Sequence, residues 1–272
     1  LCTGRLHSID TFTAVDGHGI RAIIFLQGES SKTFHFPPAA PHPVPDAGCS
    51  KRCVFCCNPD SWSPAGGTLM TVAQVFRQIE TSIPYYLSSG GGITLSGGEC
   101  LLQPRFSKQL CVEARRRGLT AALDTAATGT ERDWDQILPH VDLVLLCVKS
   151  SDPRKHQLIT GSHDTRPYYA TLAFLAATQR HKVRTWIRFV LMSFTFGDIA
   201  TDDEAECKGV AAIAKAHSNV AGVEILPYHK FGVYKWEEMG LAYPLSGMET
   251  PSDETLTRVT RLFEAEGIEV IV

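Results

Sequence analysis

At 272 residues, 44% of them hydrophobic and 20% charged, the chain has the size and apolar content of one large α/β domain. A formal net charge of −3 excludes the basic excess of a nucleic-acid or anionic-membrane binder, so neither partner is expected. The longest apolar runs, such as Val141 to Val148, are strand-sized and too short to cross a bilayer.

The first recognisable stretch is Val15-Asp16-Gly17-His18-Gly19-Ile20-Arg21, where two glycines around His18 predict a bent loop near the ligand rim. A strand is expected over Arg21–Gln27. Glu29 to Gly48 then carries five prolines (37, 38, 41, 43, 45) with Phe34, His35, Phe36 and His42, and no helix or strand period. A structureless run of this length inside a domain is unusual, and residues 29–48 read as a flexible insertion with solvated histidines. Deleting it would join Gly28 directly to Cys49.

Cys49, Cys53 and Cys56 follow in the spacing C-x3-C-x2-C. Three thiolates on one loop can hold three irons of a [4Fe–4S] cube and leave the fourth iron open to a small molecule. A structural zinc site is the competing reading, but zinc wants four tetrahedral ligands. Cys57 is too close in sequence to Cys56 for comfortable shared ligation of one ion, and no second C-x2-C or H-x3-H pair follows. The spacing favours the cluster. All nine cysteines (2, 49, 53, 56, 57, 100, 111, 147, 207) make an odd number, unlike a small-domain disulfide framework. A reducing setting is therefore expected, either the cytoplasm or a reducing organelle. No targeting segment is visible after Leu1.

Beyond the cysteines, strands are predicted over Gly92–Ser96, Thr120–Thr125, Asp142–Val148, Thr185–Leu191, Gly222–Leu226 and Glu269–Val272. Helices are predicted over Thr71–Tyr86, Gln103–Arg117, Glu131–Leu138, Thr165–His181, Thr201–Ser218 and Ser252–Glu266. For the last, Thr250 reads as N-cap, Pro251 as the first helical residue, and Gly267 as the stop. Six βα units and a closing strand point to an α/β fold in the form of a partial (β/α) barrel, with a doubly wound open sheet as the alternative. Either fold gathers ligands at the C-terminal ends of its strands. There lie Ser96-Gly97-Gly98-Glu99, where backbone can approach a ligand and a carboxylate can meet an ammonium, then Asp124-Thr125, Lys149 and His229. Arg188 falls inside an apolar strand and needs an anionic partner. Charges at several strand ends of one barrel mark a ligand site.

These segments, taken together, carry a resemblance. Gly4-Arg5-Leu6-His7-Ser8, Val15 to Arg21, Phe25-Leu26-Gln27-Gly28, the three-cysteine run, Ser96 to Glu99, Leu123-Asp124-Thr125, Trp186-Ile187-Arg188 and Leu226-Pro227-Tyr228-His229 resemble, in order, the pyruvate formate-lyase activating enzymes. So does the ending Tyr234-Lys235-Trp236 with Met239-Gly240. That family is the glycyl-radical-enzyme activase branch of the radical S-adenosylmethionine (SAM) proteins. The likeness runs over nearly the whole chain apart from the insertion, which has no cysteine and so none of the extra ferredoxin motifs of some activases.

The resemblance implies a single partial (β/α)6 barrel domain over residues 1–272, acting as a monomer. It implies an oxidoreductase with a [4Fe–4S] cluster on Cys49, Cys53 and Cys56, whose open iron binds SAM. Phe55, Gly97, Gly98, Glu99, Asp124, Lys149, Arg188 and His229 would contact SAM. Asp124 and Thr125 would form a monovalent-cation site, and Asp16 would meet the substrate's glycine loop. Reductive cleavage of SAM would then install a glycyl radical on pyruvate formate-lyase, with flavodoxin or ferredoxin as electron donor. The alternatives are activation of another glycyl radical enzyme, or an inactive SAM-binding iron–sulfur relative.

The chain departs from the family pattern in several places. Cys147-Val148-Lys149 stands for Asp-Leu-Lys, removing a carboxylate from the expected cation site. His18 replaces a proline, Ala126-Ala127 replaces Asn-Gly, and Cys57 replaces a histidine. Leu191-Met192-Ser193-Phe194 replaces a Val-Pro-Gly stretch.

Overall fold

Side-chain alternation along the strands decides what faces what. In the computed structural model, which describes residues 2–28, 49, 51–63, 65–192 and 198–272, the predicted insertion 29–48 lies outside the described residues. Nine strands form one sheet: β1 (Thr3–Thr13), β2 (Arg21–Leu26), β3 (Thr68–Thr71), β4 (Gly92–Gly97), β5 (Thr120–Thr125), β6 (Leu143–Cys147), β7 (Arg184–Leu191), β8 (Val220–Pro227) and β9 (Val270–Ile271). Their order is β3-β1-β2-β4-β5-β6-β7-β8-β9. From β2 to β9 every pair is parallel, and the strands add in sequence order without reversal. A doubly wound sheet would reverse direction of growth at a switch point. This one does not, so it curls one way as a barrel arc, and its two edges, β3 and β9, do not pair.

The described residues also form helices α1 (Val72–Gln78), α2 (Ile83–Ser89), α3 (Pro104–Arg116), α4 (Glu131–Ile137), α5 (Pro153–Thr160), α6 (Arg166–Arg180), α7 (Glu204–Lys215), α8 (Val233–Glu238) and α9 (Asp253–Ala265), with four short 3-10 turns between elements. Alternate strand residues pack onto helices in one core: Ile24, Leu95, Leu123, Leu146, Phe189 and Ile225 from the sheet meet Phe76, Leu110, Ile137, Phe174, Val210 and Phe263. Each such burial contributes about 1.5–3 kcal/mol. The intervening residues turn inward, and there the composition becomes polar: Thr94, Ser96, Asp124, Cys147, Arg188 and Glu224.

Several expectations are corrected by the structure. The single helix expected over 71–86 is two. Thr71 caps α1 through a box with Gln74, and Pro84, which has no N–H, opens α2 after a break at Ile79. The N-cap of α9 is Ser252, whose hydroxyl accepts from Thr255 N at 3.2 Å, and not Thr250. Gly267 does lie past its end, at φ +75°. The antiparallel strands β1 and β3 and the short helices α5 and α8 lacked a clear period in the sequence. No helix among the described residues is long and apolar enough to cross a membrane, and none of the nine cysteines is in a disulfide.

Candidate active site

A cavity of about 250 Å³ opens at the C-terminal ends of β4, β5 and β6. Cys49, Cys53 and Cys56 line it, and so do Phe55, Gly97, Gly98, Glu99, Asp124, Thr125, Lys149 and His229. Eleven residues singled out from sequence thus share one wall. Asp16 and Arg188 are not on it.

The ligand loop is fixed from both sides. Arg52 N donates to Thr160 O at 2.7 Å and Val54 N to Ile159 O at 2.9 Å, so the last turn of α5 brackets Cys53. Trp236 Nε1 donates to Cys56 O at 2.9 Å, and Lys235 Nζ donates to Asn58 Oδ1 at 2.8 Å. Gly232 lies against Cys57, where a Cβ would stand 2.5 Å from the Cys57 Cα. The Arg52 guanidinium sits 4.7 Å above the Trp62 ring.

Burial pushes the Cys49 thiol up to about 11, helped by Cys53, and pushes Cys56 further in the same direction. Both are thus protonated at neutral pH unless a cation compensates, and thiols bound to iron lose that proton outright. Among the described residues no group of three or more His, Cys, Asp or Glu forms a single-ion site. The three cysteines all line the cavity, and a mononuclear zinc site is not preformed among the described residues.

The glycine turn after β4 is built for close approach. Gly97 has φ +111°, and a Cβ there would fall 2.2 Å from Leu26 O. Glu99 locks the turn to the end of β5: its carboxylate accepts from Leu101 N at 3.1 Å, Thr125 Oγ1 at 2.5 Å and Ala126 N at 3.0 Å. Lys51 Nζ reaches Ala126 O from the ligand loop. Ala127, where the family has glycine, takes φ +61°.

Asp124 is fully engaged. Ser96 Oγ donates to its Oδ2 at 2.6 Å, Cys147 Sγ to its Oδ1 at 3.8 Å, and Arg188 Nη1 stands 3.4 Å from that Oδ1. The Thr125 hydroxyl donates to Glu99 and accepts from Ala127 N at 3.0 Å. Cys147, raised to about 11 chiefly by burial, brings no charge at neutral pH. Asp124 and Thr125, expected to share a cation, both line the cavity with these bonds already made, and Cys147 adds no carboxylate beside them. Burial alone would lower the Lys149 ammonium's pKa, but the attraction of Cys147 and Cys53 once ionised, and of the Asp124 carboxylate, raises it above the ordinary lysine value. Its Nζ lies 4.9 Å from the Phe55 ring centroid. His229 Nε2 is 4.0 Å from Cys57 Sγ, and Phe231 N donates to its Nδ1 at 3.3 Å.

Arg188 has the anionic partner that its buried strand position demanded, in triplicate. Glu224 Oε2 is 2.6 Å from its Nε, Asp16 Oδ1 3.1 Å from its Nη1, and Asp124 completes the set. Burial disfavours its charge, and the three carboxylates more than reverse that. The loop carrying Asp16 bends as its glycines predicted, with φ +115° at Gly17 and +71° at Gly19. It precedes β2, so it lies at the N-terminal end of the parallel strands, opposite the cavity and not at the ligand rim where it was expected, and it reaches Arg188 from that end. Glu224, Lys51 and Cys57 went unassigned in the sequence. An acidic residue inside the apolar run Gly222–Leu226 was the available signal for Glu224.

Residues 44–202 match the radical SAM superfamily. The pyruvate formate-lyase-activating enzyme of Clostridium pasteurianum is 36% identical over 251 residues, covering 92% of this chain and 93% of that protein. The chain belongs to the pyruvate formate-lyase-activating enzyme family of radical SAM proteins. The Staphylococcus aureus (strain USA300) member is 34% identical over 271 residues, covering 97% of this chain and 96% of its own. The fold agrees. A domain of the Bacteroides vulgatus pyruvate-formate lyase-activating enzyme superposes with TM-score 0.53 at 22% identity, over 66% of this chain and 98% of that one. A radical SAM methyltransferase from Sphaerobacter thermophilus gives 0.60 at 14% identity, over 98% and 76%. Membership in this activating-enzyme family implies an iron–sulfur cluster and SAM, and the cysteine-lined cavity has donors that suit the former.

Proposed function

We propose that this chain is an activase of pyruvate formate-lyase that cleaves SAM reductively and generates a glycyl radical on its partner. The observation that carries this is the shared cavity: the three cysteines of C-x3-C-x2-C and the Gly97-Gly98-Glu99 turn line it together. A [4Fe–4S] cluster, when bound, supplies the electron that splits SAM into methionine and a 5′-deoxyadenosyl radical, which removes a hydrogen atom from a glycine α-carbon.

The chain's own residues then bind, orient and shield. Cys49, Cys53 and Cys56 would hold the cluster as thiolates and, being three, would leave one iron free for SAM. Gly97 and Gly98 expose backbone to the amino group, and Glu99 keeps that turn from moving. Lys149 offers its charge to the carboxylate, Phe55 a flat face to adenine, and His229 a ring proton to the ribose. Asp124 offers its carboxylate to the sulfonium, with Arg188 holding it in place, and Asp16 ties the loop that would receive the glycine segment from the other end of the arc. Trp62, Val190, Leu226 and Tyr228 make the remaining wall largely apolar, which excludes water from a reactive radical. No cation is assigned to Asp124 and Thr125.

The test is anaerobic reconstitution with iron and sulfide, followed by reduction in the presence of SAM. The expected products are methionine and 5′-deoxyadenosine, and with pyruvate formate-lyase present a glycyl radical signal by electron paramagnetic resonance. A correctly loaded cluster that yields no 5′-deoxyadenosine sinks the reading. Cleavage without a radical on pyruvate formate-lyase redirects it to another glycyl radical enzyme. The thiol of Cys147 beside Asp124 favours one further reading, an inactive relative, which tight SAM binding without cleavage would identify.

A further inference from the structure

Three carboxylates crowd one guanidinium inside the arc. Glu224, Arg188 and Cys147 stand side by side on β8, β7 and β6, because the register pairs Glu224 with Arg188 and Arg188 with Cys147. Glu224 grips the guanidinium with both oxygens, Oε2 at 2.6 Å from Nε and Oε1 at 3.2 Å from Nη2. Nη2 also donates to Val15 O at 2.9 Å. That leaves Nη1 for two competitors: Asp16 Oδ1 accepts from it at 3.1 Å, and Asp124 Oδ1 stands 3.4 Å away.

Of these three acids only Asp124 lines the cavity. Its other donors, the Ser96 hydroxyl at 2.6 Å and the Cys147 thiol at 3.8 Å, bring it no positive charge. How much of the Arg188 charge reaches Asp124 therefore depends on how much Glu224 takes. A two-pronged carboxylate–guanidinium pair is among the stronger polar contacts in a protein, and Glu224, 7% exposed, is little screened by water. Arg188 is thus largely committed to β8, and the wall at Asp124 keeps negative charge in excess.

We propose that Glu224 is a positioning residue that keeps the Asp124 carboxylate available to a cationic cofactor, and so sets the preference for a sulfonium over the neutral thioether. This rests on the reading that Asp124 faces the sulfonium of SAM. Glu224 does not line the cavity and acts through Arg188. Removing its charge has two effects of one sign. The negative potential at the wall falls, and Arg188 turns more of its own charge to Asp124. Each weakens the hold on a cation and leaves a neutral ligand almost untouched. A salt bridge of purely structural worth would weaken both ligands alike.

The experiment measures binding to the cluster-loaded chain by anaerobic equilibrium dialysis, without reductant, so that nothing turns over. The ligands are SAM and S-adenosylhomocysteine, which differ by the methyl group that makes the sulfur positive. Wild type should prefer SAM. Glu224→Gln, of the same size but uncharged, should bind SAM several-fold more weakly and S-adenosylhomocysteine about as wild type does. Glu224→Asp, which keeps the charge on a shorter stem, should retain most of the preference. Equal losses for both ligands in Glu224→Gln overturn the proposal, and so does an unchanged preference. If Glu224→Gln fails to fold, Glu224→Asp decides alone: a kept preference upholds the role of charge, and a lost one overturns it. Wild type that takes up no cluster, or binds both ligands equally, brings down the parent reading instead, a failure seen before any variant is made.

Discussion

Lys182 leaves α6 in a left-handed conformation, φ +56°, with Val183 N bonded back to Thr178 O at 2.9 Å. That is the position a glycine takes without steric cost at a helix C-terminus. Lys182 is exposed, so its side chain buries little to offset the strain. Lys182→Gly should stabilise the fold by about 1 kcal/mol, read as a higher denaturant midpoint at unchanged slope. Ala127 shows the same strain in a buried setting, where its methyl is part of the core, so the corresponding change gains less. At this scale the cysteines were legible because ligand spacing on one loop is local. The glycine turn and Lys149 were legible because strand ends are. His156, 1% exposed and with no hydrogen-bond partner for either ring nitrogen among the described residues, was not. Nothing in Pro153–Thr160 distinguishes a buried imidazole from a solvated one, since the ring is covered by Tyr168 of α6.

Arg188 joins elements that are far apart in sequence. Its guanidinium ties β7 to β8 through Glu224 and to the loop between β1 and β2 through Asp16 and Val15 O, the last at 2.9 Å. Arg188→Met leaves Asp16, Asp124 and Glu224 without their cation and should cost about 3–5 kcal/mol of unfolding free energy by denaturant titration. The double change Arg188→Met with Glu224→Leu should recover part of that loss. Arg188 could be flagged from sequence because an arginine within an apolar strand demands an anion. Its partners could not be named. Arg188 pairs with Glu224 only once β7 and β8 are in register, and no local pattern states that register. The break at Ile79 and the cap at Ser252 failed for a related reason: Pro84, and two capping residues on either side of Pro251, allowed more than one boundary.

For the molecule as a whole, acid sensitivity of the cluster-free chain has a defined source. Burial, then the charges of Lys51 and Lys149, drives the His156 ring down to about 3 in the folded chain. It titrates near 6.5 when unfolded, so between those values the unfolded state holds more protons. Stability then falls as pH drops below about 6.5, by up to about 1.4 kcal/mol per pH unit from this ring, and is indifferent to it above. Denaturant midpoints from pH 7 to pH 5 should decline less steeply in His156→Gln than in wild type; parallel profiles would contradict this. The class of fold was legible because apolar runs alternate with amphipathic ones and parallel strands follow chain order. The antiparallel pair β1 and β3 was not, since an edge with one wet face carries a weaker pattern. The unpaired margins of this sheet have a mechanical result. A ring of strands has its girth dictated by backbone bonding, whereas an arc can widen or tighten without breaking a rung. Here the Arg188 clasp fastens β7 to the loop before β2 and to β5 and β8. A partner segment bearing its own carbonyls or carboxylates could thus trade places with the clasp and change the bore of the vessel that it enters.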